Sequence, residues 1–120
     1  MCIARRDGKI RGGRAFRFLE SHPDVPVRIS IITYGEFAEG FSPEEKEYCA
    51  ELLRPYRVLG LSEGIAWHYG QLSGALRQSG QPIGDNDLWI AATAIHHAID
   101  LVTRNVSHFK RVRDLRIVEY

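Results

Sequence analysis

The sequence predicts an α/β fold in which a parallel sheet is covered by helices on both faces. Short β-branched segments alternate along the chain with longer segments of helical periodicity, which is the pattern of strand–helix–strand crossovers. A length of 120 residues suits one domain with a single core, spanning residues 1–120. The composition, with 44% apolar and 26% charged residues, is that of a globular protein and argues against disorder or a repeat array.

Strands and helices follow one another in a regular order along the chain. The predicted strands lie at residues 27–30, 57–59, 101–103 and 115–118, and the predicted helices at residues 15–19, 31–41, 43–54, 63–80 and 87–99. Prolines and glycines mark the connections between them. The polar segment between the last two strands contains Phe109, which we expect to anchor that segment to the core.

Three helices are preceded by serine residues that suit the N-cap position. Ser30 ends a predicted strand and Ser62 follows a loop, and each stands directly before a helix. Ser42 is followed by Pro43 at the first helical position and by Glu45 at the third, which is the pattern of a capping box. These side chains predict where the three helices begin.

The segment that Asp87 opens is predicted to be the most buried helix. On a helical wheel its apolar residues form one wide stripe, made of positions 88, 91, 92, 95, 98 and 99. Asp87 falls in line with the alanines at 91, 94 and 98, whereas Thr93, His96 and His97 make the polar side of the helix. We therefore expect the Asp87 carboxylate to face inward.

Charge, cysteine content and hydropathy argue against several classes of protein. A net charge of +1 argues against binding of nucleic acid through an overall positive field. The segment before Glu20 nevertheless contains six basic residues and one acidic residue, Asp7. This basic cluster suits either phosphate contacts or a solvated amino terminus. Cys2 and Cys49 are too few for a disulfide framework, and the longest apolar run is too short to span a bilayer, so we expect a cytoplasmic protein.

Polar residues follow two of the predicted strands, at the edge where open parallel sheets bind ligands. Glu36 lies in the helix after the strand at 27–30, and Thr103, Arg104 and Asn105 end and follow the strand at 101–103. Asp87, at the start of the apolar helix, is expected at the same edge.

Each carboxylate also has a simpler explanation. Asp87 would interact favourably with the helix dipole and with the free amides of the first turn, as Asp85 could also do. Glu36 would suit a solvated position on the surface of its helix. Two inward carboxylates at one sheet edge, however, require a hard cation or a positive side chain. We expect the two carboxylates about 4 to 8 Å apart, because metal–oxygen bonds are about 2.1 Å long.

Three segments closely resemble VapC-type PIN domains, in order and in spacing. They are ISIITYGEFAEGF at residues 29–41, GDNDLWIAATA at residues 84–94 and LVTRNVSHF at residues 101–109. The likeness extends to the terminal strand, so the sequence is identified as a PIN-domain ribonuclease of the VapC toxin type.

The resemblance implies a three-layer PIN-like fold and a function as an endoribonuclease toxin that depends on Mg²⁺ or Mn²⁺ to cleave RNA. It also implies a cognate antitoxin partner, in a type II toxin–antitoxin pair, and a homodimer. The residues implied are Glu36 and Asp87 as catalytic metal ligands, Asn105 as a further catalytic residue, Thr103, His108 and Asp85 in support, and Arg5, Arg6 and Arg104 as contacts with nucleic acid.

The chain departs from the family pattern at two places. Family members open with an apolar strand that ends in Asp-Thr-Asn or Asp-Thr-Asp, and residues 1–6 of this chain resemble the segment after that motif. The central first strand is therefore expected to be missing or incomplete, and the domain truncated at its amino terminus relative to the family. His108 stands where many relatives have a carboxylate. Fewer carboxylates imply weaker metal binding.

Two other functions remain open. A catalytically inactive or truncated PIN-fold module, which still pairs with an antitoxin or with itself, fits the absence of the family's first aspartate. A structural fragment that folds only by exchanging a strand with a partner fits the absence of the first strand. Magnesium-dependent cleavage of RNA separates the ribonuclease from both.

Overall fold

A single parallel sheet organises the computed structural model, which describes residues 2–4, 17, 18 and 20–120. Its strands of three residues each are β1 (Cys2–Ala4), β2 (Arg28–Ser30), β3 (Arg57–Leu59), β4 (Leu101–Thr103) and β5 (Ile117–Glu119). The order across the sheet is β3-β2-β1-β4-β5, and all neighbouring strands are parallel. The predicted parallel sheet is confirmed.

The first strand was expected to be missing or incomplete; β1 occupies the centre of the sheet, so the expectation that it is missing was wrong, and its incompleteness relative to the family stays a prediction. Ile3 is aligned with Ile29 of β2, and Ala4 is aligned with Thr103 of β4. A gap at this position would leave backbone donors and acceptors of β2 and β4 without partners inside the sheet, which is unfavourable. The strand consists of Cys2, Ile3 and Ala4 and therefore contributes no carboxylate.

Helices connect successive strands. They are α1 (Ile31–Ala38), α2 (Lys46–Leu53), α3 (Glu63–Gln78), α4 (Asp85–His96) and α5 (Val106–Phe109). A 3₁₀ turn (Pro43–Glu45) leads into α2, and residues 17, 18 and 20 are helical as well. Within the described part of the chain, no helix has both the length and the apolar character needed to cross a membrane.

The serine caps are confirmed by their hydrogen bonds. The Oγ of Ser30 accepts a hydrogen bond from the backbone N–H of Thr33 at 2.9 Å. The Oγ of Ser62 accepts one from the N–H of Ile65 at 3.2 Å. The backbone N–H of Ser42 donates to Glu45 Oε1 at 3.0 Å, and the hydrogen bonds from Ser42 lower the pKa of that carboxyl group.

Two neighbouring residues of β4 show that both faces of the sheet are covered. Leu101 belongs to a buried cluster with Leu88, Ile90, Ala91, Ala94 and Phe109, most of them on α4. Val102 belongs to a second cluster with Ile29, Phe37, Cys49 and Leu53, which lies toward α1 and α2. Because successive side chains of a strand point to opposite faces, these clusters form the two halves of the core. Phe109 is fully buried and anchors its segment as expected.

Several element boundaries differ from the predictions, and α4, for example, spans Asp85–His96 and not residues 87–99. Helix α1 ends at Ala38 and not at Phe41, because the chain turns at Gly40, whose N–H donates to Phe37 O. The last strand begins at Ile117 and not at Leu115, after Asp114 adopts a positive φ of 67° that interrupts extended structure.

Helix α4 is buried on more sides than the helical wheel predicted. Thr93, expected on a polar side, is fully buried, and its Oγ1 donates to the carbonyl of Trp89 at 2.7 Å. The reason is that α4 packs against both α3 and the sheet. Ala98 lies beyond the helix, is exposed and has a positive φ of 53°, so it does not belong to the buried stripe.

Candidate active site

The carboxyl ends of the parallel strands lie side by side, at what we call the carboxyl edge of the sheet. Thr103, the last residue of β4, is aligned with Ala4 of β1, and Ser30 is the last residue of β2, on the other side of β1. Ser30 and Thr103 are fully buried. Open parallel sheets bind their ligands at this edge, so the predicted site residues are to be located relative to it.

Asp87 lies in the first turn of α4, and only 6% of its surface is exposed. Leu88 and Ala91 of the same helix are part of the core, which turns this side of α4 inward. The N-cap residue is Gly84, which has no side chain to cap the helix. A carboxylate in the first turn is favoured by the helix dipole, which offsets part of the cost of its burial. The predicted inward orientation of Asp87 is confirmed.

His108 of α5 contacts Asp87 across the site. Its Nδ1 atom lies 3.3 Å from Oδ2 of Asp87. The imidazole is 46% exposed, whereas the Asp87 side chain is 8% exposed. The pair joins the first turn of α4 to the short helix that follows β4, and the imidazole is its solvent-facing member.

Thr103 and Asn105 form the turn that places His108. The backbone N–H of Asn105 donates to Thr103 Oγ1 at 3.0 Å. The carbonyl of Asn105 accepts a hydrogen bond from the N–H of His108 at 3.0 Å, at the start of α5. The structure therefore links Thr103, Asn105, His108 and Asp87 through one series of contacts.

Glu36 lies on the side of α1 that faces α4. Ile32, one turn earlier on the same face, packs against the core cluster that contains Leu88 and Ala91 of α4. Glu36 is half-buried, and its Oε1 atom is shielded from solvent. The expected separation between the Glu36 and Asp87 carboxylates stays a prediction.

A buried pair of hydroxyl groups at the carboxyl edge was not among the site residues predicted from the sequence, where Ser30 was identified only as a helix cap. Ser30 and Thr33 are 0% and 4% exposed, and Ser30 Oγ donates to Thr33 Oγ1 at 3.0 Å. Their spacing of three residues at a strand–helix junction is the signal that could have identified them, because it places both hydroxyls on one helical turn.

Asp85 and the arginines differ in how the structure places them. Asp85 is exposed and accepts a hydrogen bond from the Tyr69 hydroxyl of α3 at 3.1 Å, which ties it to α3 and not to the Asp87–His108 pair. Burial and the hydrogen bond to Asp85 raise the pKa of Tyr69. Arg104 is exposed directly after β4, at the carboxyl edge. Arg5 and Arg6 lie outside the described residues.

The donor groups at this edge are those that a hard divalent cation prefers. Asp87 and Glu36 offer carboxylate oxygens, and Asn105 offers an amide oxygen. In the part of the chain that the structure describes, no three or more His, Cys, Asp or Glu side chains form a group that could hold a metal. Because Mg²⁺ keeps several waters and uses one or two protein carboxylates, the donors fit such an ion but do not enclose it.

Comparison with known proteins supports the family that the sequence resembles. The chain matches the PIN domain family over residues 3–115. It is 39% identical over 99 residues to Ribonuclease VapC1 of Haemophilus influenzae, which covers 78% of this chain and 74% of that protein. It is 33% identical over 109 residues to Ribonuclease VapC10 of Mycobacterium tuberculosis, which covers 89% and 82% of the two chains.

Solved structures share the same fold. VapBC2 from Rickettsia felis, bound to a DNA fragment from its promoter, superposes with a TM-score of 0.82 at 26% identity, covering 99% of this chain and 97% of that one. VapBC-1 from nontypeable Haemophilus influenzae superposes with a TM-score of 0.77 at 29% identity, covering 98% and 96%. The chain therefore belongs to the PIN-domain family and, within it, to the VapC ribonucleases.

Proposed function

We propose that this chain is the endoribonuclease toxin of a type II toxin–antitoxin pair and that it cleaves RNA with Mg²⁺ or Mn²⁺ at the carboxyl edge of its sheet. The observation that carries the proposal is the buried Asp87 carboxylate, held in the first turn of α4 beside His108. Relatives named ribonuclease support the reaction class. A buried carboxylate at the ligand-binding edge of a parallel sheet supports the location.

The residues at this edge suit different tasks. Asp87 and Glu36 would hold the cation from two helices that pack against each other. Asn105 follows directly on the Thr103 turn and is placed to orient a phosphate or a water through its amide group. Arg104 is exposed at the same edge, and its positive charge suits the RNA backbone.

The burial of Asp87 has a chemical consequence. When bound, a divalent cation supplies Lewis acidity toward a phosphate oxygen and promotes the ionisation of water. The surroundings of Asp87 exclude most solvent, so its charge acts in a medium of lower dielectric than water. The rigid first turn of α4 keeps the carboxylate in one position, which limits the reorganisation required of the site.

We also propose that the chain pairs with an antitoxin protein and forms a homodimer. Solved structures with the same fold include VapBC complexes from Rickettsia felis and Haemophilus influenzae, and this supports the antitoxin partner. The homodimer rests on the resemblance to VapC-type PIN domains.

A second candidate function is an inactive PIN-fold module that retains antitoxin pairing. The observation in its favour is that β1, at the centre of the sheet, contributes no carboxylate next to Thr103. The described site then depends on Asp87 and Glu36 for its acidic ligands.

Cleavage of a mixed RNA pool tests the proposal. In Asp87→Asn the side chain keeps its shape but loses the charge that holds the cation, so we expect Mg²⁺-dependent cleavage to fall by about two orders of magnitude or more. Asp114→Asn is the matched control. Asp114 is exposed, precedes β5 at the opposite edge of the sheet and has a positive φ that asparagine tolerates, so cleavage should be unchanged.

The outcomes separate the two functions. Equal cleavage by the unchanged protein and Asp87→Asn would contradict the assigned site. No Mg²⁺- or Mn²⁺-dependent cleavage by the unchanged protein, together with binding of an antitoxin, would favour the inactive module.

A further inference from the structure

We infer that His108 is a metal ligand together with Asp87 and that this pair shifts the preference of the site from Mg²⁺ toward a divalent transition-metal ion such as Mn²⁺. The inference rests on the proposed function, since it concerns the same cation. It assigns to His108 a role beyond support of the Asp87 carboxylate.

The separation of the two donor atoms is the first argument. Nδ1 of His108 and Oδ2 of Asp87 are 3.3 Å apart. Adjacent ligands of an octahedral ion with bonds of about 2.1 Å are roughly 3.0 Å apart. An N–H···O hydrogen bond in proteins is usually shorter than about 3.2 Å. The observed distance is at the long end of the range for a hydrogen bond, and it is also close to the separation of two adjacent ligands of an octahedral ion.

Both donors are held in place by the fold, which is the second argument. Asp87 is fixed by the burial of the first turn of α4. His108 is followed by Phe109, which is fully buried in the core, and its backbone N–H bonds to the carbonyl of Asn105. The pair is therefore positioned without an ion, and ligands positioned in advance bind with less loss of conformational entropy.

The exposure of the imidazole is the third argument. The His108 side chain is 46% exposed, whereas that of Asp87 is 8% exposed. An ion at this pair is open to water and to a phosphate group on the imidazole side. A purely structural hydrogen bond has no need of such access.

The chemistry of the donors determines which ion is preferred. Mg²⁺ is a hard cation that prefers oxygen ligands and near-ideal octahedral geometry. Imidazole nitrogen is a better ligand for transition-metal ions. An Asp–His pair therefore discriminates against Mg²⁺ in comparison with a site of two carboxylates.

Metal binding measured without RNA tests this inference on the full chain. Titration calorimetry at one fixed pH gives the Mn²⁺ and Mg²⁺ affinities of the unchanged protein, His108→Ala, His108→Glu and Asp87→Asn. We expect His108→Ala to weaken Mn²⁺ binding by about tenfold or more and to change Mg²⁺ binding little, because only the nitrogen ligand is lost. His108→Glu should shift the preference toward Mg²⁺. His22→Ala, in the turn before β2, is the control and should change neither affinity.

Pulsed electron paramagnetic resonance of bound Mn²⁺ supplies a readout that a structural role of His108 would not alter. We expect modulation from a directly coordinated imidazole nitrogen in the unchanged protein and its loss in His108→Glu. If the unchanged protein shows no modulation from a coordinated imidazole nitrogen, the inference is overturned, even if the variants fail to fold. If this modulation is absent but Asp87→Asn abolishes Mn²⁺ binding, the proposed function stands and only the inference fails. Failure of the unchanged protein to bind Mn²⁺ overturns the inference, and RNA cleavage then judges the proposed function separately.

Discussion

At the scale of single residues, Asp87 places a carboxylate on the buried side of an apolar helix. Two local features make this arrangement tolerable, namely the free N–H groups of the first turn of α4 and the nearby Nδ1 of His108. Asparagine at the same position retains hydrogen-bonding capacity and carries no charge to bury. The Asp87→Asn variant is therefore expected to fold, which makes its loss of activity interpretable.

The end of α4 provides a prediction for stability. Ala98 has a φ of 53°, the N–H of Ile99 donates to the carbonyl of Ala94, and the N–H of Ala98 donates to the carbonyl of Ile95, which is the Schellman arrangement. A non-glycine residue pays about 1 to 2 kcal/mol for this left-handed conformation. We expect Ala98→Gly to raise the free energy of unfolding by about 1 kcal/mol, measured by denaturant titration.

The same substitution within a helix is the control. Ala66 is exposed in α3, where glycine lowers stability by about 1 kcal/mol because it loses more conformational entropy on folding. Ala66→Gly and Ala98→Gly should therefore have opposite signs. Destabilisation by both would show that the positive φ of Ala98 is not a source of strain.

Residues of α4 also show how far a helical wheel can predict burial. The wheel correctly predicted that Asp87 faces inward, because apolar neighbours on one side of a helix identify the side that packs against the core. It failed for Thr93, since α3 covers the side that the wheel assigned to solvent. A wheel describes one interface, and a helix between two layers has two.

At the scale of elements, α3 and α4 approach closely where Gly64 meets His96. A Cβ atom at Gly64 would overlap the His96 imidazole, whereas a Cβ at Gly70 of the same helix would meet nothing within 4 Å. We expect Gly64→Ala to be less favourable in the unchanged protein than in a His96→Ala background, by about 1 kcal/mol of unfolding free energy. Denaturant titration of the four proteins of this double-mutant cycle measures the difference.

Gly70→Ala supplies the matched cycle. Its effect on stability should be the same with and without His96→Ala, because the two positions do not touch. Equal effects of Gly64→Ala in both backgrounds would mean that the imidazole moves aside at no cost and that Gly64 is not required for this contact.

The helices and strands differ in how well they can be predicted from the sequence. The positions at which helical segments begin, after Ser30, Ser42 and Ser62, could be predicted because a cap depends on residues only three positions apart. Strand β1 was not, because a strand of three residues is stabilised by its neighbours and not by its own composition. The Ser30–Thr33 hydroxyl pair was overlooked although its spacing is local.

At the scale of the whole molecule, the candidate site is a product of topology. The carboxyl edge was predictable, since alternating strands and helices imply parallel strands that end together. The contact between Asp87 and His108 was not, because the two residues are 21 positions apart and meet only through the turn at Thr103 and Asn105. Periodicity gives the side of an element but not the distance between two side chains.

Paramagnetic broadening by Mn²⁺ locates the cation and tests the central claim most directly. In amide NMR spectra with substoichiometric Mn²⁺, we predict that the signals of Asp87, Asn105 and His108 broaden first, because the ion binds at the carboxyl edge. Signals near Asp114, at the opposite edge, should stay sharp, and Asp87→Asn should abolish the selective broadening. Broadening centred on the opposite edge, or broadening at the carboxyl edge that persists in Asp87→Asn, would contradict the assignment of Asp87 as the metal-binding residue.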